Sequence, residues 1–169
     1  MDTKENKIVL KPLLEEDISI FNKWLNKEYI YKWFCPGGEE DREAWIDEVN
    51  NRHTKYHYMK HFIVYCDDTA IGFCLYLDCF FEHEYIPNHY GITVDKKETV
   101  FEIGYLIGEE KYLKKGIGNI IIKKLEEKIS EIGGQEILAD PDAENIISTK
   151  LLLNNGFIKI KDGDYRKRI

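Results

Sequence analysis

One segment limits the fold of this chain more than any other. A run rich in β-branched and aromatic residues, Thr99-Val-Phe-Glu-Ile-Gly-Tyr-Leu-Ile107, reads as a central strand, and a polar loop carries it to Gly116-Ile117-Gly118. A helix starts there: Ile117, Ile121, Leu125, Ile129 and Ile132 keep the helical period, and Gly133-Gly134 stops it. A helix start offers four unpaired N–H groups and a partial positive charge, so it suits an anion. Glycines let that backbone approach phosphate oxygens with no Cβ in the way, and Lys114 and Lys115 add two full charges just before it. The combination reads as a pyrophosphate cradle, although Gly-x-Gly taken alone also marks a tight turn. Two other phosphate motifs are excluded. A Walker A loop needs Gly-Lys-Ser/Thr where Gly116 is followed by Ile117, and a dinucleotide fingerprint needs a third glycine where Ile121 stands.

Elsewhere the apolar spacing divides the chain into alternating elements. Residues 8–13 read as a first strand, with Pro12 near its end where a missing N–H is tolerated. A helix is expected from Glu15 to Asn26 on Ile18, Phe21, Trp24 and Leu25, and another from Asp41 to His53 on Trp45, Ile46 and Val49. Between them, Tyr31-Lys-Trp-Phe-Cys-Pro-Gly-Gly38 reads as a break. Strands at 61–66 and 70–81 form a hairpin across Asp67-Asp68-Thr69, and residues 82–98, with Pro87, Asn88 and Gly91, read as a long loop. A strand at 135–139, a helix at 143–155 and Gly156-Phe157 entering a closing strand complete the pattern, with Asp162-Gly163 turning a last hairpin. This predicts one mixed sheet with helices packed on it, in a single domain over residues 1–169.

Lys and Arg number 24 against 31 Asp and Glu, a net charge of −7. That balance opposes binding to nucleic acid through phosphate neutralisation and favours a cationic partner. The cysteines, Cys35, Cys66, Cys74 and Cys79, contain no Cys-x-x-Cys pair, and His53, His57, His61, His83 and His89 lack metal spacing and read as surface or loop residues. No metal is expected, and the thiols read as buried groups of a reducing compartment. The polar Met1–Lys7 stretch has no apolar signal core, and no apolar run approaches the ~18 residues of a membrane span. A cytoplasmic protein that leaves membranes alone is the expectation.

At Leu113-Lys-Lys-Gly-Ile-Gly118 the sequence resembles the GCN5-related N-acetyltransferase family, whose motif is Gln/Arg-x-x-Gly-x-Gly/Ala between a central strand and a helix. A second block, Asp140-Pro-Asp-Ala-Glu-Asn145 followed by Leu-Leu-Leu-Asn-Asn-Gly156-Phe157, is similar to the family's Asp-Pro-x-x-x-Asn helix start and closing Gly-Phe strand. The resemblance covers almost the whole chain. It implies an α/β (α+β) fold with a mixed, mostly antiparallel sheet of about six to seven strands flanked by about four helices. It also implies acetyl-CoA as cosubstrate. Backbone groups of Leu106 and Ile107 would pair with the pantetheine arm. Lys114, Lys115, Gly116, Ile117, Gly118 and Asn119 would hold the pyrophosphate, and Asn145 would bond the pantetheine near the second helix. An amine would attack the thioester directly, with a backbone N–H near Leu106 meeting the developing oxyanion. Two departures stand out: the Gln/Arg position is Leu113, and the Tyr that commonly protonates the leaving thiolate is Leu152.

The amine must first lose a proton. Glu102, on the central strand and opposite in parity to Phe101, Ile103 and Tyr105, is the expected acceptor, projecting where substrate enters. With an ordinary pKa of about 4.3 it would be ionised at neutral pH. Ammonium binding or a structural ion pair are the alternative roles. Tyr31–Glu40 resembles a segment of aminoglycoside 6′-N-acetyltransferases, which implies that Trp33 and Phe34 line the acceptor pocket and that Asp140 meets cationic amino groups. Glu82, Glu84 and Asp95 would add to the acidic field. Trp33 also suits an ordinary core position, and the acidic stretch a solvated face. Phe101-Glu-Ile-Gly-Tyr-Leu-Ile107 also resembles enzymes that acetylate protein N-termini, and Leu113 and Leu152 leave open a degenerate acetyl-CoA-binding module. The reading allows a homodimer through an apolar sheet edge that the sequence does not identify.

Overall fold

The strands expected from the apolar pattern are all present in one seven-stranded sheet, in a computed structural model that describes residues 7–169. Met1–Asn6 of the polar N-terminal stretch lie outside the described residues. The strands are β1 (Ile8–Pro12), β2 (Met59–Cys66), β3 (Thr69–Asp78), β4 (Val100–Ile107), β5 (Glu136–Ala139), β6 (Ile158–Lys161) and β7 (Asp164–Arg168), ordered β1-β2-β3-β4-β5-β7-β6. β4 and β5 run parallel, while β1–β2, β5–β7 and β6–β7 are antiparallel. Buried residues on both parities of β3, including Ile71, Phe73, Cys74 and Leu75, mark a strand covered on both faces.

Among the described residues six α-helices accompany the sheet, where about four were expected: α1 (Ile18–Leu25), α2 (Glu28–Phe34), α3 (Glu39–Asn50), α4 (Tyr85–Tyr90), α5 (Ile117–Glu131) and α6 (Ile146–Asn154). The two extra helices lie in stretches read as a break and a loop. In α2 the breakers Pro36, Gly37 and Gly38 act only after Phe34, and Glu28 and Lys32 sit at the ends that suit the helix dipole. In α4 Pro87 occupies the first turn, where its missing N–H costs nothing, and Gly91 closes the helix at φ 72. The strand expected to reach residue 81 ends at Asp78, because the Asp78 carboxylate accepts from Phe80 N–H at 3.1 Å and turns Cys79–Phe81 into a single 3-10 turn.

The chain forms two compact units, Met1–Leu75 with Tyr105–Ile121 and Tyr76–Gly104 with Ile122–Ile169. In the first, Phe21, Trp24 and Leu25 of α1 are fully buried, and Phe21 stacks on Phe73 at 4.1 Å between centroids. His61, expected near the surface, instead lies in β2 with its side chain sealed, 2.7 Å from the Glu48 carboxylate. Trp45 meets both Phe21 and Phe73 edge-on.

In the second unit Leu125 and Ile129 of α5 are fully buried, whereas Ile132 falls beyond the helix end and is 41% exposed. A Cβ at Gly134 would meet Ile129 and Phe101, so the helix exit packs directly on the core. Gly163, at φ 87, turns the β6–β7 hairpin as expected. The outer strand β6 presents Ile158 and Ile160 to solvent, which is an apolar sheet edge of the kind the sequence left unlocated. Of the four cysteines, Cys66 is half-buried and Cys35, Cys74 and Cys79 are buried.

Candidate active site

Strand register assembles the chemistry of the second unit. Glu102 of β4 pairs with Leu138 of β5, and Ala139 of β5 pairs with Tyr165 of β7. Side chains alternate along a strand, so Asp140, two residues past Leu138, falls on the face of Glu102. Asp164, one residue ahead of Tyr165, stands beside it. Helix α4 supplies Tyr85, His89 and Tyr90 against this row. The Tyr90 hydroxyl donates to Glu102 Oε2 at 2.6 Å. The Tyr85 hydroxyl lies 3.1 Å from the same oxygen and 2.6 Å from Asp140 Oδ2. His89 Nε2 is 2.9 Å from Asp164 Oδ1 and 3.4 Å from Asp140 Oδ2.

Glu102 therefore differs from the accessible, ordinarily ionised carboxylate expected from the sequence. It is only 8% exposed, because the two phenols of α4 cover it. Burial first, and the nearby Asp140 charge second, push its pKa well above the usual carboxylate range, against the opposing effect of the tyrosine hydrogen bonds. Asp140 is raised too, chiefly by burial, while the Tyr85 hydrogen bond and His89 hold it down. Its side chain keeps 32% of its exposure, so it is the open member of the pair. Burial and the two carboxylates also raise both phenols far above their ordinary value, which keeps them as hydrogen-bond donors. A cavity of about 510 Å³ adjoins α4, lined by Glu82, Glu84, Tyr85, Asn88 and His89. Asp95 is exposed in the irregular segment after Gly91 and does not line it.

The glycine turn belongs to the first unit. Lys114 and Gly116 both take left-handed backbone, at φ 59 and φ 78, and a Cβ at Gly116 would meet nothing within 4 Å. The turn thus opens onto free space with Lys114 and Lys115 exposed. Ile117 anchors the start of α5 in the core, and Gly118 and Asn119 occupy its first turn. The end of β4 is clamped nearby in sequence. A Cβ at Gly108 would overlap the Trp24 indole, and Trp24 Nε1 donates to Glu109 Oε2 at 2.6 Å. Lys27 Nζ donates to the Gly108 carbonyl, and Tyr29 donates to the Ile107 carbonyl at 2.9 Å. That carbonyl is accordingly engaged already. Leu106 is buried.

The structure brings Glu102 and Asp140 together through Tyr85, as two of the residues singled out from sequence. Asn145 caps α6, its Oδ1 accepting from Ser148 N–H at 3.3 Å. Trp33 and Phe34 sit in the last turn of α2 in the first unit. Phe34 packs on Trp45, which donates to the Phe34 carbonyl at 2.9 Å; Trp33 is half-buried with Lys32 over its ring, so it is not an ordinary core aromatic. Leu152 is fully buried. Tyr85, His89, Tyr90 and Asp164 escaped the sequence reading. For the three on α4 the signal was the spacing Tyr85-x-x-x-His89-Tyr90, which Pro87 disguised as a loop.

A family model described as an acetyltransferase (GNAT) domain matches residues 13–165. Among solved structures, aminoglycoside acetyltransferase AAC(6′)-Ib in complex with ribostamycin and coenzyme A superposes with a TM-score of 0.70 at 19% identity, covering 96% of this chain and 93% of that one. An aminoglycoside N(6′)-acetyltransferase from Legionella pneumophila gives a TM-score of 0.70 at 12% identity, covering 96% and 91%. The ribosomal L7/L12 α-N-protein acetyltransferase RimL gives 0.68 at 15% identity, covering 96% and 91%. These likenesses establish a shared fold. Among the described residues no helix is long and apolar enough to cross a membrane.

Proposed function

The chain belongs to the GNAT acetyltransferase family and is an acetyl-CoA-dependent N-acetyltransferase; from that premise we propose that it acetylates a primary amine of a cationic, aminoglycoside-like small molecule by direct attack in a ternary complex. The observation that carries this reading is the Glu102–Asp140 pair, a half-open carboxylate backed by a buried one beside an acidic cavity. A polyammonium substrate has what such a site needs, because one ammonium loses its proton while others remain for Glu82 and Glu84 to hold. A carboxylate whose proton affinity is raised accepts a proton at neutral pH more readily than an ordinary one.

The roles follow residue by residue. Amides of residues 114–119 hold the pyrophosphate, with Gly116 leaving room and Lys114 and Lys115 adding charge. The flank of β4 past Glu102, where the pairing with β5 stops, takes the pantetheine alongside Leu106 and Ile107. Because the Ile107 carbonyl serves Tyr29, pairing there falls to the other backbone groups. Asn145 contributes through Nδ2, its Oδ1 being used in capping. Asp140 meets the incoming ammonium, and Glu102 backs it as the buried partner. The buried Leu152 offers no acid, so the leaving thiolate takes its proton from water or from the carboxyl pair.

Release of free thiol from acetyl-CoA, measured across aminoglycosides, polyamines and N-terminal peptides, tests the proposal. Turnover on aminoglycosides or polyamines supports it. Turnover on peptides alone replaces it with protein N-terminal acetylation, the reading that the phrase Phe101–Ile107 favours.

A further inference from the structure

A hydrogen count at Tyr85 extends this picture. Tyr90 to Glu102, Tyr85 to Glu102 and Tyr85 to Asp140 are three oxygen–oxygen contacts at 2.6, 3.1 and 2.6 Å, and the two phenols bring one hydrogen each. If both carboxylates were ionised, Tyr85 would donate to one and turn a bare lone pair on the other at hydrogen-bond distance, inside a largely buried site. Like charges joined this closely do not both ionise readily. A third hydrogen, on either carboxyl group, satisfies all three contacts.

We infer that Tyr85 is a positioning residue that holds one proton shared between Glu102 and Asp140, so that the pair carries a single negative charge that moves between a buried end and an open end. The exchange balances. Asp140 gives its Oδ2 proton to Tyr85 Oη, Tyr85 passes its own to Glu102 Oε2, and the negative charge returns to Asp140. The surrounding groups are consistent with one charge here. Tyr85, His89 and Tyr90 face the pair from α4, and Glu82 and Cys79 from the segment before it. Asp164 and Lys161 face it from the β6–β7 hairpin, Lys161 lying 3.4 Å from Asp164 Oδ2. The burial that raises both carboxyl groups favours the same proton count. In catalysis, a use that rests on the proposed function, the tautomer with the proton on Glu102 leaves Asp140 anionic and exposed. It takes one proton from the substrate ammonium and leaves a neutral amine.

Isotope-edited infrared spectroscopy of the full chain, with Asp and Glu carboxyl carbons labelled with carbon-13 and no acetyl-CoA present, reads this directly. The wild type should show one protonated carboxyl signal at neutral pH. Both Glu102→Gln and Asp140→Asn should lose it, since either amide supplies the missing hydrogen to Tyr85 Oη. In a Tyr85→Phe background, Asp140→Asn should leave the signal in place on Glu102, the link being cut. Absence of the signal in the wild type overturns the inference, and that arm needs no variant to fold. Persistence in Asp140→Asn alone assigns the proton to Glu102 by burial and also overturns it. Loss in the Tyr85→Phe double variant removes Tyr85 from the role. Because the measurement contains neither cosubstrate nor acceptor, its failure leaves the proposed reaction standing, and a failed thiol-release assay leaves the carboxyl signal standing.

Discussion

The turn ahead of α5 is built from consecutive backbone, whereas the cluster beneath α4 is built from side chains on four separate segments. In the turn the residues proposed to hold the pyrophosphate all lie between Lys114 and Asn119, and the decisive property is empty space above Gly116. In the cluster, Tyr85 reaches a partner 55 positions away and His89 one 75 positions away, and the decisive property is burial. The first is a local device, tolerant of what surrounds it. The second exists only when β4, β5 and β7 pair in register, so its chemistry is inseparable from the tertiary fold.

That contrast can be broken or sharpened by experiment. The largest effect is expected at Asp140→Asn, which removes the open proton acceptor and should lower kcat by on the order of 10²–10⁴ while leaving acetyl-CoA affinity unchanged, as thiol release and calorimetry would report. Wild-type turnover would take Asp140 out of the reaction. Gly116→Val should do the reverse. It fills the open turn and forces a β-branched residue to a positive φ, at about 1–3 kcal/mol of backbone strain, so acetyl-CoA binding weakens by roughly tenfold or more while kcat at saturation holds. Unchanged affinity would show that the turn holds no phosphate.

Of these two regions, the cluster is the one through which stability should respond to pH. The folded pKa of the pair is raised, so the native state holds a proton that the unfolded chain has released. The stabilisation is full below the unfolded value of about 4.3 and declines by up to about 1.4 kcal/mol per pH unit as pH rises toward the folded value. Denaturant titration across pH should show that decline in the wild type and a flatter curve in Glu102→Gln. The smallest effect is expected at Tyr90→Phe. Removing a donor to the Glu102 carboxylate raises its proton affinity, so the acidic limb of kcat/KM should move to higher pH by about one unit or less. A downward move would contradict the assigned hydrogen bond.

How much of this was legible beforehand follows the same division. The strands, the α5 stripe and the glycine turn were readable because each is announced by neighbours in sequence: Ile121, Leu125 and Ile129 recur with the helix that buries them. Glu102 and Asp140 were found as residues, but not as a coupled pair, since nothing in either segment states that Leu138 lies opposite Glu102. Tyr85 and Tyr90 went unseen because Pro87 reads as a loop residue unless its place in the first turn of a helix is known. His61 was misplaced for a related reason. Its polarity suggested the surface, while the Glu48 carboxylate at 2.7 Å makes burial tolerable. Patterns report which residues face inward; they do not report which of them meet.

The parallel pairing of β4 with β5 has a last consequence. Slippage by one residue would rotate Asp140 to the opposite side of the sheet, and no adjustment of rotamer could return it to Tyr85. A misregistered molecule would keep most of its helices and much of its hydrophobic interior yet possess no paired acids. Under the proposed function, catalytic competence is therefore a stricter gauge of correct strand alignment than helical content or compactness, and preparations that differ in specific activity at equal ellipticity should differ in that alignment.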